Sequence, residues 1–302
     1  MLELDRILAI VEPGLDDQPA LDKAVQLAKY ADSELELLIA DYNAYLEDGH
    51  HFDPIQAQAL RRQQGDQQLE HLQTLAQPLR DEGLEVSVTC AWGNPPYEQI
   101  LKRVGETSPS LVVKSTRYHP LLARLVLSNE DWELVRYCSA PLLLAKGQKW
   151  PANPTFIASV DPSHSHDKPA ALDSKLISSA VSLGAISGGV VHLFHSAWVP
   201  PLSGVYPLAV DEPREDRVLG ELADEQSICR TRCHWSDEDI AHALPEMVDE
   251  LGASAVIMGA VSRSRIDRLL IGNTAEKMLD KLESDVLVIH PDHAPALQKL
   301  VV

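Results

Sequence analysis

The chain is short of cysteine, of aromatic residues, of positive charge and of long apolar runs, and each shortage removes a class of protein. Four cysteines stand in 302 residues, Cys90, Cys138, Cys229 and Cys233, with no Cys-x-x-Cys pair among them. Neither a zinc-ribbon framework nor a dithiol redox motif is therefore written into the chain, and reduced thiols in a cytoplasmic protein are the expectation. Lys and Arg number 26 against 45 Asp and Glu, a net charge of -19. The deficit is shared, with 14 basic and 23 acidic groups in residues 1–150 and 12 and 22 in residues 151–302. With no basic tail or face, neither a nucleic-acid partner nor attachment to anionic lipid is expected. No apolar stretch approaches the roughly 20 residues of a membrane-spanning helix. The first residues lack the basic-then-apolar pattern of a secretory signal. Gly-x-Ser-x-Gly, Gly-x4-Gly-Lys-Ser/Thr and His-Glu-x-x-His are also missing, so spacing nominates no catalytic residue.

What the chain does contain is the same unit twice. Arg6-Ile-Leu-Ala-Ile-Val-Glu-Pro13 recurs as Thr155-Phe-Ile-Ala-Ser-Val-Asp-Pro162. Asp17-Gln-Pro-Ala20 is answered by Asp167-Lys-Pro-Ala170, and Cys90-Ala-Trp92 by Cys233-His-Trp235. Ser110-Leu-Val-Val113 aligns with Ala255-Val-Ile-Met258, which sets Lys114 opposite Gly259 and Ser128-Asn-Glu130 opposite Gly272-Asn-Thr274. A repeat of this length is a repeat of whole domains. Boundaries of 1–147 and 153–302 follow, joined by the proline-bearing stretch 147–154, short and stiff enough to keep the halves together.

Short apolar runs alternate with amphipathic segments. Strands are expected at 6–11, 35–40, 85–90, 110–113 and 141–145, and again at 155–160, 189–195, 228–233, 254–258 and 285–289. Runs such as Val286-Leu-Val-Ile289 carry no polar alternation and so read as parallel strands buried on both faces. Leu21, Ala24, Val25 and Ala28 share one helical face, as do Leu172, Leu176 and Ala180. Alternation of this kind builds a doubly wound sheet with right-handed crossovers. The expected fold is α/β, with two tandem five-stranded parallel sheets of Rossmann-like order 3-2-1-4-5. Residues 55–82 read as a long helix with Leu69, Leu72, Ala76 and Leu79 inward. Residues 199–210 are apolar, proline-rich and aperiodic, and either pack beneath the next helix or cover a cavity.

Three clusters invite chemistry. The first is Met258-Gly-Ala-Val-Ser-Arg-Ser-Arg265 with Gly272-Asn-Thr-Ala-Glu276. Glycine at a strand end admits close approach of a ligand, free N–H groups at the next helix start hold phosphate oxygens, and Arg263 and Arg265 add charge. Asn273 with Glu276 is equally a capping box that binds nothing. The second is Asp161-Pro-Ser-His-Ser-His-Asp167, whose carboxylates and imidazoles suit a transition metal but also an ordinary solvated loop. No metal is expected there. The third is Cys229-Arg-Thr-Arg-Cys233. On one strand face its sulfurs would stand about 13 Å apart, too far for one ion, so buried thiols are expected.

Gly259, Gly272-Asn-Thr-Ala-Glu276, Asp285-Val-Leu-Val-Ile289 and the strand end Asp161-Pro162 together resemble the universal stress protein domain. The resemblance runs once through each half and is nearest to tandem proteins of the E type. Nucleotide-binding members of that family carry Gly-x2-Gly-x9-Gly-Ser/Thr, whose second glycine falls on Ser262 here. In the first half Lys114, Arg117 and Ser128 replace all three glycines and Glu12 replaces the strand-end Asp. The resemblance therefore implies a first half with a degenerate site and a second half with a partly retained one. It implies a cytoplasmic stress-response protein that binds ATP or another nucleotide, or an anionic or amphiphilic small molecule, with Mg only where ATP binds. Asp161, Ala197, Gly259, Ser262, Arg263, Gly272, Asn273 and Thr274 would hold the ligand. It also implies that the two halves pair through their last strands as an intramolecular pseudo-dimer, with a homodimer of the whole chain as a further expectation. A weak ATP hydrolase and an interaction protein whose site has decayed remain the alternatives.

Overall fold

The structure is a computed structural model and describes residues 2–15, 17–46, 53–119, 124–147, 149–162, 170–198, 212–259, 278–279 and 281–291. Ser262, Arg263, Gly272, Asn273 and Thr274 lie outside the described residues, as do His164, His166 and the stretch 199–210.

The first half runs β1 (Arg6–Ile10), α1 (Pro19–Ala31), β2 (Glu34–Asp41), α2 (Pro54–Asp81), β3 (Val86–Trp92), α3 (Pro96–Thr107) and β4 (Leu111–Ser115). A small antiparallel hairpin follows, β5 (Arg117–His119) with β6 (Arg124–Val126), then α4 (Asn129–Tyr137) and β7 (Leu142–Ala145). The second half runs β8 (Thr155–Ser159), α5 (Ala170–Ser187), β9 (Val190–Ser196), α6 (Glu212–Glu225), β10 (Cys233–Ser236), α7 (Ile240–Leu251), β11 (Ala255–Gly259) and β12 (Asp285–Ile289). One ten-stranded sheet carries them in the order β10-β9-β8-β11-β12-β7-β4-β1-β2-β3. Read within each half this is 3-2-1-4-5, as the alternating pattern implies.

The seam between the halves is β12 against β7, the antiparallel pair of this sheet, with Val286 opposite Leu144 and Val288 opposite Leu142. Both strands are apolar on both faces and fully buried, so pairing them removes two sheet edges that water would otherwise have to cover. Apolar cores on the two faces of the sheet each run across both halves. A polar clasp closes one end of the seam. Asp285, buried at the start of β12, accepts from the Lys146 backbone N–H (2.8 Å) and the Trp150 indole N–H (2.8 Å), and faces the Lys23 ammonium of α1 at 3.2 Å. Burial raises the Asp285 carboxyl pKa and lowers that of Lys23. Three donors converging on one carboxylate nevertheless favour the charged pair. Lys23 also lies over the Trp150 ring, 4.4 Å from its centroid. The connecting stretch is thus anchored through a buried Trp150 rather than left in solvent.

Several expectations need correction. The stretch 228–233 is not a strand: Arg230–Arg232 form a 3-10 turn and β10 starts at Cys233. Cys229 is consequently exposed and Cys233 half-buried, not a pair of core thiols. Leu69 faces outward at 40 % exposure, while Ala57, Leu72 and Ala76 carry the buried stripe of α2. The β5–β6 hairpin had no strand-like pattern to announce it. The repeat alignment also slips by one place. Ile7 pairs with Leu111 and Phe156 with Ala255, and Ile7 and Phe156 are counterparts. Ser115 therefore stands where Gly259 stands, and Lys114 corresponds to Met258.

Candidate functional site

In an open parallel sheet the ligand crevice lies beyond the strand carboxyl ends where the order reverses. In the second half that place is between β8 and β11, with β9 on the other side of β8. Asp161, Ala197 and Gly259 follow or end these three neighbouring strands, so the fold brings them together. Their local roles differ from what spacing suggests. Gly259 is tight against α5: a Cβ built on it would sit 2.7 Å from Leu172 Cδ2. Its missing side chain makes room for a helix. Ala197 spends its N–H on the Ser236 carbonyl at 2.8 Å, which extends the β9–β10 pairing.

Asp161 is buried, and its backbone N–H donates to the Asp173 carboxylate of α5 at 3.2 and 3.3 Å. Asp173 is itself buried. Beside them His195 of β9 has Nδ1 3.2 Å from the Val160 carbonyl and Nε2 3.4 Å from Glu215 Oε2 of α6. The ring is thus held between the Val160 carbonyl and the Glu215 carboxylate, with β9 on one side and α6 on the other. The Glu215 link, with the Trp235 indole donating to Asp216 at 2.9 Å, fixes the first turns of α6 against the sheet. Neither Asp173 nor Glu215 stood out in the sequence. A carboxylate inside a helix otherwise rich in Leu, Ala and Ser was the available signal for Asp173.

The first half fills the same position with its own charges. Lys114 is 1 % exposed. Its ammonium lies 2.7 Å from Glu12 Oε1 and 2.9 Å from Asp131 Oδ1. Burial works to lower its pKa, but Asp131 and Glu12 outweigh that and hold it above the ordinary lysine value. Asp131 also accepts from the Ser128 backbone N–H at 2.7 Å while Ser128 Oγ accepts from the Asp131 N–H at 3.2 Å, a capping box at the start of α4. The helix N-terminus that could take an anion is thereby given one by the chain itself. Ser115 accepts from the Ala20 N–H at 2.9 Å, and Gln18 holds both the N–H and the carbonyl of Glu12 (3.1 and 2.7 Å). Among the described residues no group of three or more His, Cys, Asp or Glu is placed to hold a metal ion, and no helix is long and apolar enough to cross a membrane.

With this geometry in view, comparison with known proteins is informative. The model of the universal stress protein family matches residues 3–146 and again 167–290. Universal stress protein E of Photorhabdus laumondii is 27% identical over 305 residues, covering 97% of this chain and 96% of the relative. A solved Pseudomonas aeruginosa PAO1 protein of unknown function superposes with a TM-score of 0.75 at 26% identity, over 96% of this chain and 93% of that one. A universal stress protein from Archaeoglobus fulgidus does so with a TM-score of 0.70 over 95% and 99%, at 15% identity, and so speaks for the fold alone.

Proposed function

The chain belongs to the universal stress protein family, and from that premise we propose that it is a ligand-binding stress-response protein whose second half takes a nucleotide and whose first half does not. The observation that carries this reading is the difference at one position. Lys114 neutralises the strand-end acid Glu12 in the first half, whereas Met258 occupies the corresponding place and offers Asp161 no charge. The described strand ends of the second half are instead acidic, with Asp161, Asp173 and Glu215 buried there, Asp173 accepting the Asp161 N–H and Glu215 facing His195. Such acidic strand ends suit the donor end of a nucleotide, its sugar hydroxyls and base amino group, and repel phosphate. The phosphate end is assigned to Gly272, Asn273 and Thr274, with Ser262 and Arg263 as further ligands, because the sequence there reads as glycine before a helix start, where backbone N–H groups collect an anion. Mg would accompany ATP as the counter-ion of its phosphates, and no residue is assigned to a chemical step.

Calorimetric titration with ATP, with and without Mg, tests the reading. Ser262→Gly is expected to tighten binding and Gly272→Val to abolish it. Asp161→Ala, removing one hydrogen-bond acceptor, is expected to weaken it by roughly three- to tenfold. Binding that ignores all three substitutions would place the site elsewhere. Absence of binding in the parent and in Ser262→Gly would sink the nucleotide reading altogether.

A further inference from the structure

The second half carries a pair of imidazoles away from the crevice, on the sheet face covered by α7. His192 of β9 and His234 of β10 lie on adjacent parallel strands, two places apart in register, so their side chains converge on one face. His192 Nδ1 stands 2.9 Å from His234 Nε2. The ring planes are within 17° and the centroids 5.1 Å apart. Centroids that far apart with nitrogens at hydrogen-bond distance mean that the rings meet edge to edge, not face to face. One N–H then donates along the line to the other ring's lone pair.

We propose that His192 and His234 form a two-imidazole site for a divalent transition-metal cation with tetragonal preference, Ni²⁺ or Cu²⁺. The separation is the first reason. An ion bonding two imidazoles at about 2.0–2.1 Å each, set at a right angle, needs the nitrogens roughly 2.8–3.0 Å apart. The pair already has that spacing, and tetrahedral zinc would need it wider, at about 3.4 Å. To bind, each ring tilts off the shared line, and the hydrogen held between them moves through solvent to that ring's other nitrogen. A neutral pair thus takes up the ion without net proton release. Water completes the coordination, because both side chains are half-buried and not sealed.

Availability of the lone pairs is the second reason. Burial lowers the pKa of both rings; His234 and Arg232 lower His192 further, while Glu250 works the other way on His234. Both shifts run against the protonated form, which cannot act as a ligand. The nearby guanidinium of Arg232 opposes a cation and the carboxylate of Glu250 favours one. The chain's net charge of -19 concentrates cations at its surface. The first half lacks the arrangement. Glu36 is the counterpart of His192, and it is bonded to Thr89 and Arg103, each at 2.7 Å.

Calorimetric titration of the whole chain with Ni²⁺ tests the site, since this ion leaves the free thiols unoxidised. One ion is expected to bind. His192→Asn and His234→Asn should each weaken binding by at least roughly tenfold, and the double substitution little further. The substitution His164→Asn/His166→Asn should leave it unchanged. Paramagnetic broadening in the unsubstituted protein gives a readout that does not depend on any variant folding. Amide resonances of Val191, Leu193, Cys233 and Trp235 should broaden first. Loss of binding with the His164/His166 pair, or broadening that spares β9 and β10, overturns the proposal.

Discussion

The two halves of this chain end their first strand on an acid and treat it in opposite ways. Glu12 is answered from within by Lys114, whose second partner, Asp131, caps α4. Asp161 follows the corresponding strand, but the neighbouring strand brings Met258, buried in the apolar core, and the repeat sets Ala275 where Asp131 stands. One half carries an internal ion triad at these strand ends; the other has the uncharged Met258 and Ala275 in sequence at the positions of its cation and cap. A duplicated fold keeps its strands because burial demands them, whereas charges at the strand ends answer only to one another and diverge together. In the first half acid, cation and cap accordingly stand in one cluster.

The sharpest way to break the comparison is to remove the cation. Lys114→Ala leaves two carboxylates buried and facing each other, and the loss of stability should be about 3–5 kcal/mol, read from urea unfolding. Lys114→Met with Glu12→Gln, which copies the second half's apolar residue and removes one charge, should recover a large part of that loss. Because the folded pKa of Lys114 is raised above its ordinary 10.5, its contribution should persist at all lower pH values at which both carboxylates stay ionised. It should be lost as pH rises through that raised value. A parent protein indifferent to strong alkali at this site would contradict the triad.

A smaller effect tests the other crevice. Gly259→Ala drives a Cβ against Leu172 and should cost about 1–3 kcal/mol through overpacking. The double variant Gly259→Ala/Leu172→Ala should lose less than the two single losses added together, because the clash is gone. Additive losses would mean that something other than Leu172 requires the glycine.

The mildest contrast lies at the outer strands, where β2 and β3 are stapled by Glu36 and Thr89, and β9 and β10 by His192 and His234. The folded pKa values of both histidines are depressed below the ordinary 6.5, burial being the first cause. Their contribution is therefore full above that value and is lost as pH falls through it toward the depressed values. A modest fall in melting temperature over that window, absent in His192→Asn/His234→Asn, is the expected result.

Much of this architecture can be read from the chain. The paired runs Arg6–Val11 and Thr155–Val160, and the uninterrupted Val286–Ile289, suffice for parallel strands and the doubling, because apolar periodicity reports burial directly. The misjudged stretches share a cause. Leu69 looks inward by spacing alone, yet the inward stripe of α2 runs through Ala57, Gln64, Gln68, Leu72 and Ala76, with both glutamines bonded to Asp41 of β2, and Leu69 falls beside it. Residues 228–233 alternate weakly, and a 3-10 turn took the first part. Of the nominated site, Asp161, Ala197 and Gly259 lie at the carboxyl ends of three neighbouring strands, but what each does there depends on neighbours distant in sequence: Asp173, Ser236 and Leu172.

By itself, the sequence determined a duplicated α/β chain of strongly acidic surface, with one half retaining glycines near its fourth strand and the other not. Hydrophobic period and composition are local quantities, and a linear reading captures them. Tertiary structure alone decided that Asp285 would gather Lys23, Lys146 and Trp150 at the seam, that Lys114 would sit between Glu12 and Asp131, and that two histidines 42 positions apart would share a hydrogen bond. Buried charges and polar atoms must find partners wherever the fold puts them, and which partners those are is set by the packing of strands and helices.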